Sequence, residues 1–262
     1  MRENKIGRNI GLARVLSKLG YSSRSRAAAM IRAGRVSVEG AIKTDPETPV
    51  SEGESPIAVD GKVIVAQPKI YLMMNKPRGV VTTASDEKGR KTVYETLNHD
   101  ADSRTKAQAR SQPWVSPVGR LDKASEGLLL LTNDSEWAAA ITAPETHLNK
   151  TYHVQITTVA EDEFIQELVR GVRTKDGEVL RARQARLLRA GEKNCWLEVI
   201  LDEGKNRQIR RMMETMGAEV LRLIRVAIGP LKLGDLAKGE SRPLTVLEKR
   251  TLDRSVREKT HD

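Results

Sequence analysis

Between Gly127 and Thr132 the chain reads Gly-Leu-Leu-Leu-Leu-Thr, and four consecutive leucines admit few placements. The run is too short for an ordinary helix, a glycine opens it, and the polar triplet Thr132-Asn133-Asp134 closes it. Such a segment suits a short strand buried on both faces. Just before it lies a polar loop carrying Arg120 and Asp122, itself preceded by the apolar residues 114–118. A charged pair held at the mouth of a buried strand is where a reactive carboxylate is expected, although an unselected Arg-x-Asp is most often a solvated surface pair. The rest of the chain has to decide between the two.

At 262 residues there is room for two domains, each with its own core. Only 3% of the residues are aromatic, so aliphatic side chains must fill those cores. The formal net charge of +10 calls for an anionic partner, nucleic acid ahead of an acidic membrane surface. The single cysteine, Cys195, sits in an apolar-alternating run and reads as a core thiol in a reducing compartment. One cysteine and four scattered histidines (His99, His147, His153, His261) build no metal site. No apolar run approaches the roughly 20 residues that span a bilayer. The polar, basic N-terminus lacks the apolar core of an export signal, so the expected compartment is the cytoplasm and no membrane partner is expected.

The first 35 residues are lopsided. Arg2, Lys5, Arg8, Arg14, Lys18, Arg24, Arg26, Arg32 and Arg35 face a single acid, Glu3, over the first 35 positions. Leu12, Val15, Leu16 and Leu19 have helical spacing, ended by Gly20. Ser22-Ser23 offer N-caps for a second helix whose apolar face is Ala27, Ala28, Met30 and Ile31, stopped by Gly34. A strand at 36–38, a turn at Glu39-Gly40, a strand at 41–43 and a final strand near 57–65 complete a module of two helices and a hairpin. These landmarks, Leu12 through Gly40, resemble the S-four domain, an RNA-binding module named after a small-subunit ribosomal protein, over about residues 10–57. The resemblance implies that Arg14, Arg24, Arg26, Arg32 and Arg35 face structured RNA, for which guanidinium groups near a helix start suit phosphate recognition. The domain is expected over residues 1–60 and a linker over 61–69.

The larger part reads as α+β around a mixed or antiparallel sheet, because strands and helices are interspersed without the regular alternation of a parallel fold. Residues 70–75 form a strand broken by Lys76-Pro77-Arg78-Gly79, a tight turn whose basic corner, Lys76, is placed with the RNA contacts. A β-branched strand resumes at 80–83, a short helix covers 92–97, and the polar stretch 98–112 reads as a mobile loop. Further elements are a helix at 135–141, an alternating strand at 150–157 with Tyr152, Val154 and Ile156 on one face, a helix at 161–169, and strands at 179–188, 195–201 and 219–228. The segment after Gly204 opens a helix whose apolar stripe is Ile209, Met212, Met213 and Met216, with Arg207, Arg210 and Arg211 opposite and Lys205 at its entrance, a place for phosphate or a carboxylate.

Four blocks together, Gly119-Arg-Leu-Asp-x-x-Ser-x-Gly-Leu-Leu-Leu-Leu-Thr-Asn, Lys150-Thr-Tyr, Glu203-Gly-Lys-Asn-Arg-Gln-Ile-Arg-Arg-Met and the stretch from Leu221 to its downstream glycine, closely resemble the bacterial ribosomal RNA pseudouridine synthases that begin with an S-four domain. The resemblance implies a catalytic domain over 70–250, with 251–262 left as a polar tail. It implies that Asp122 is the essential aspartate and that Tyr152 stacks on the target base. Lys205 stands where the family has a basic residue paired with the aspartate, Ile209 packs on the base, and Arg120 holds the flipped-out nucleotide or its phosphate. Arg207 and Arg210 are expected to bind substrate beside them.

The chemistry suits these residue types independently. Uridine becomes its carbon-linked isomer when the base is detached, rotated and rejoined through C5, without redox or group transfer, so no cofactor is expected. An ionised carboxylate can attack ribose C1′ or remove the neighbouring proton. To stay ionised in a largely buried cleft Asp122 needs a cation, for which Lys205 and Arg120 are candidates. The expected partner is ribosomal RNA, free or in a pre-ribosomal particle, with the enzyme a monomer and the large subunit favoured over the small. Two other readings stand beside it. A non-catalytic RNA-binding or assembly factor would be free to lose Asp122 or Tyr152. A methyltransferase would need a G-x-G-x-x-G loop that this chain lacks.

Overall fold

The computed structural model describes residues 9–51, 55–83, 86, 88–99 and 113–258. They fall into two compact units, one built on residues up to Tyr71 with Leu131–Ser135 and the residues around 113–116, the other on most of the remainder.

In the first unit β1 (Asn9–Gly11) leads into α1 (Leu12–Lys18), and α2 (Arg24–Arg32) follows a turn through Gly20, whose φ of 74° no β-carbon tolerates well. The Ser23 hydroxyl accepts the Arg26 N–H at 3.2 Å, the capping contact that the sequence calls for. Strands β2 (Val36–Val38), β3 (Ala41–Lys43), β4 (Pro49–Ser51), β5 (Ile57–Val59) and β6 (Lys62–Val63) come next. β4 pairs with β1, and the others form a sheet in the order β3-β2-β5-β6. Leu12, Leu16, Ile31 and Val36 are wholly buried between the helices and this sheet. The single strand expected over 57–65 is instead a hairpin, because Asp60 and Gly61 both adopt positive φ (49° and 76°) and reverse the chain. Part of the expected linker therefore belongs to the sheet. Arg14, Arg24, Arg26 and Arg32 are exposed, whereas Arg35, also exposed, holds Asp60 through Nε at 2.9 Å.

The second unit is built on a sheet ordered β13-β14-β10-β15-β9-β7-β17. Its elements in chain order are β7 (Tyr71–Lys76), α3 (Val93–His99), β8 (Ser116–Val118), β9 (Glu126–Thr132), α4 (Ser135–Thr142), β10 (Lys150–Ile156), α5 (Asp162–Arg170), β11 (Val172–Arg173), β12 (Val179–Leu180), β13 (Gln184–Ala190), β14 (Cys195–Leu201), α6 (Gln208–Thr215), β15 (Val220–Ile228), β16 (Leu231–Lys232), β17 (Ser241–Pro243) and α7 (Val246–Glu258). β10 runs antiparallel to both β14 and β15, and β15 runs parallel to β9, so the sheet is mixed. Every residue of β9 is buried, as four successive leucines require. Leu168 of α5 and Met212 and Met213 of α6 pack on Val154, Leu197 and Val199, while Ile141 of α4 and Leu252 of α7 pack on Leu128, Leu130 and Ile228. Cys195 is wholly buried in the first of these cores.

Three expectations are overturned. Residues 80–83 form no strand; Val81 makes an isolated bridge to Thr92. The strand expected over 179–188 is broken in two, β12 pairing with β11 and β13 with β14. The expected tail begins inside α7, where Leu252 is wholly buried and the Trp137 indole donates to Asp253 at 2.7 Å. Leucine and valine at 252 and 256 supply a helical stripe that the charges around them conceal. Residues 100–112 of the expected loop, and 259–262, lie outside the described residues.

The parallel contact of β9 with β15 is unusually close. A β-carbon on Gly127, whose φ is 104°, would stand 2.3 Å from the Arg225 carbonyl oxygen and 2.8 Å from its nitrogen. Backbone cannot yield as a flexible side chain would, so Gly127→Ala is expected to cost about 4 kcal/mol or more. Urea unfolding measures this, and a loss below about 1 kcal/mol would contradict the close approach.

Candidate active site

Residues 119–125, between β8 and β9, carry Asp122, and the loop is held by its own backbone. Five consecutive carbonyls, from Leu121 to Ser125, are bonded. The Thr82 hydroxyl donates to the Leu121 oxygen at 2.8 Å and accepts the Leu121 N–H at 3.3 Å. The Gly79 N–H donates to Lys123 at 2.7 Å, and Arg210 donates to Ala124 at 3.0 Å. The ammonium of Lys76 donates to the oxygens of Asp122 at 3.2 Å and Ser125 at 2.8 Å, and to Pro77 at 3.0 Å. With its backbone fixed on this many sides, the Asp122 side chain is aimed by geometry that it does not itself supply.

Lys76 is thereby removed from the RNA contacts. Its side chain is wholly buried, and burial pulls its pKa down to about 8, with Asp122 and Glu126 partly opposing the shift. The period of β7 could have shown this, since alternation from Met74 carries position 76 to the inside.

Asp122 opens into a cleft of about 630 Å³, whose lining also includes Arg120, Tyr152, Lys205, Arg207 and Ile209. Tyr152 lies on β10 in register with Val199 on one side and Arg225 on the other. Ile209, from the first turn of α6, is 3% exposed. Arg120 is exposed at the rim. Arg210 is not part of the lining: besides Ala124 it reaches the Val220 oxygen at 3.4 Å, and its role here is to brace the loop. Asp122 keeps 38% of its side-chain exposure, so the cleft is more open at the carboxylate than the sequence suggested.

The cation beside Asp122 is Arg207, with a terminal nitrogen 3.7 Å from the carboxylate. Lys205, expected there, ion-pairs instead with Glu178 at 3.2 Å and Glu203 at 3.4 Å. The reason is non-local. The turn between β11 and β12 carries Asp176 and Glu178 to the start of α6, where they take Arg211, each at 2.8 Å, and Glu178 takes Lys205. Arg207 is released toward Asp122 by a left-handed backbone (φ 49°) at the helix N-cap. Gln208 pins this turn, its amide donating to Arg181 at 3.0 Å and Glu203 at 2.7 Å.

The cleft thus gathers a carboxylate on a rigid loop, a guanidinium, a tyrosine and an aliphatic wall. The chain matches the family model of RNA pseudouridylate synthases over residues 70–215 and that of the S4 domain over 10–55. It belongs to the RNA pseudouridylate synthase family, as an enzyme with an S4 domain ahead of the catalytic domain. Ribosomal large subunit pseudouridine synthase B of Bacillus subtilis (strain 168) is 34% identical over 243 residues, 92% of this chain and 94% of that protein. The protein of the same name from Haemophilus influenzae is 36% identical over 227 residues, 85% of this chain and 60% of that one. A crystal structure of a pseudouridylate synthase superposes with a TM-score of 0.61 at 28% identity, covering 93% of this chain and 99% of that one.

Two predictions follow from the geometry. Arg207→Gln should lower kcat about 100-fold, and Lys205→Gln less than about tenfold, in single-turnover pseudouridine assays. The reverse order would return the lysine to Asp122. Lys76→Met keeps the volume but takes a donor from the carbonyls of Pro77 and Ser125, leaves that of Asp122 with the Ser125 N–H alone, and should lower kcat with little change in RNA affinity. Its stability effect has a definite sign. Folded Lys76 releases its proton near pH 8, whereas an unfolded lysine keeps it to about 10.5. Between those values the unfolded chain holds the extra proton, so this group's contribution to stability rises with pH. Urea unfolding at about pH 7 and about pH 9.5 should show wild type gaining on Lys76→Met, and a constant difference would mean an ordinary lysine.

Proposed function

We propose that this enzyme converts a uridine of ribosomal RNA, in the large subunit, to pseudouridine on a flipped-out base, with Asp122 as the group that opens the glycosidic bond. The observation that carries the reading is the Asp122 loop, whose carbonyls from 121 to 125 are all engaged while its carboxylate faces the cleft. The large-subunit assignment is supported by the names of the relatives from Bacillus subtilis and Haemophilus influenzae.

Asp122 attacks ribose C1′ or removes the C2′ proton, and in either route the bonding pair of C1′–N1 leaves with the base. The freed base turns and C5 bonds to C1′, which releases Asp122 from C1′ or, in the other route, returns the proton to C2′; C5 then loses its proton and N1 gains one. Tyr152 stacks on it and Ile209 walls the opposite side, which offsets the cost of unstacking the nucleotide from the RNA. Arg207, 3.7 Å from the carboxylate, is its counter-charge in the cleft. Arg120, exposed, meets phosphate, and Arg14, Arg24, Arg26 and Arg32 of the first unit meet the RNA elsewhere.

Asp122→Asn keeps size and loop geometry and removes the charge. It is expected to abolish pseudouridine formation on ribosomal RNA while RNA affinity stays within about threefold of wild type. Mapping pseudouridines in ribosomal RNA from cells with the wild-type gene, with the Asn variant and without the gene identifies the target. Normal modification by the Asn variant would sink the mechanism, and a target outside the large subunit would correct the substrate.

A further inference from the structure

Arg225 occupies a position that alternation along β15 assigns to an apolar residue, between Leu223 and Ala227 on the buried face. It is 6% exposed, yet it lines the catalytic cleft. Its Nε donates to the Leu128 oxygen at 2.7 Å, which fixes the plane of the guanidinium. Its Nη2 is sealed from solvent without a hydrogen-bond partner, and among the described residues Nη1, which is not sealed, has no hydrogen bond and no carboxylate ion-pairs with the guanidinium. A buried donor without an acceptor costs about 1–3 kcal/mol, and more when it is charged. The fold carries that cost beside its reacting groups: across β10 the neighbour of Arg225 is Tyr152, and across β9 it is Gly127, five positions beyond Asp122.

The missing acceptor has a definite chemistry. Arginine only donates, so it accepts no N–H and rewards oxygen. Phosphate suits the exposed Arg120; a group in contact with the 6% exposed Arg225 lies alongside Tyr152, its neighbour across β10. The edge of uracil carries two exocyclic carbonyls, and cytosine has an amino group in place of one of them. When C1′–N1 breaks, the bonding pair leaves with the base and its negative charge spreads over N1 and both carbonyl oxygens. A fixed guanidinium at one of those oxygens binds the departing base more strongly than the bound uridine, and no proton has to move to or from it.

Building on the function proposed above, we propose that Arg225 reads the flipped base: its guanidinium donates through Nη1 to an exocyclic carbonyl of uracil, selecting uridine over cytidine and stabilising the uracil anion as it leaves.

The test is a cycle between enzyme and substrate. Single-turnover rates are measured for wild type, R225Q and R225K on a large-subunit ribosomal RNA transcript whose mapped target uridine is left intact or replaced by 2-thiouridine or 4-thiouridine. Sulfur is a poor acceptor, so one of the two replacements should slow wild type about tenfold or more. R225Q should be about 100-fold slower on uridine, bind the RNA within about threefold of wild type, and respond to the sensitive sulfur at least about fivefold less than wild type. A sulfur effect in R225Q equal to that of wild type, or uridine turnover close to wild type, overturns the inference. A loss of affinity that matches the loss of rate overturns it too, by assigning the contact to phosphate. Should R225Q fail to fold, R225K decides: a sulfur effect at least about threefold smaller than in wild type supports the contact, and an unchanged one refutes it. Wild type that forms no pseudouridine on any ribosomal RNA overturns the functional proposal itself, and this inference with it. Product with wild type but no coupling removes this inference alone.

Discussion

A lysine ammonium shut away from water must find acceptors, and Lys76 finds them in the backbone that carries Asp122. Three carbonyls converge on its nitrogen, two of them from residues 122 and 125. The contact works in both directions. The oxygens satisfy an ammonium that burial disfavours, and its charge holds the loop. Thr82, Gly79 and Arg210 complete the hold on the carbonyls between. None of these four groups lies next to Asp122 in the chain, so the aim of the carboxylate is a property of the assembled domain.

The same economy appears one strand further on. β9 and β15 run parallel and so close at Gly127 that a methyl group would overlap the Arg225 backbone. That approach sets Arg225 between the strand leading from the Asp122 loop and the strand bearing Tyr152. Three segments far apart in sequence thus deliver a carboxylate, an aromatic ring and a guanidinium to one cleft. The glycine that opens the leucine run is as much a part of the site as the residues that line it.

Charge placement around α6 shows how local reading goes astray. Lys205, Arg207, Arg210 and Arg211 crowd seven positions, and sequence spacing alone gives each a similar claim on Asp122. Asp176 and Glu178, brought in by a hairpin 30 residues earlier, occupy Lys205 and Arg211. Arg210 turns to the Ala124 carbonyl, and Arg207 is left to face Asp122. Like charges in a row are sorted by the acids that the fold brings to them, and those contacts cannot be counted from spacing.

Several features followed from the sequence alone, because their causes are local. Four leucines between glycine and a polar triplet suit a short buried strand, and β9 is one. Ser23 caps α2, Gly20 and Gly34 end their helices, and the stripe Ile209-Met212-Met213 faces a core, all within reach of one turn or one period. Asp122, Tyr152 and Ile209 were legible as a group through their motifs, and the cleft gathers them. What the tertiary structure decided is of another kind: which cation meets Asp122, that Lys76 is a buried brace where a surface contact was expected, that α7 seals a core with residues 246–258, and that Arg225 enters the cleft with a donor to spare. Each depends on partners dozens of residues away, whose distance, burial and lack of competing acceptors exist only once the sheet is formed.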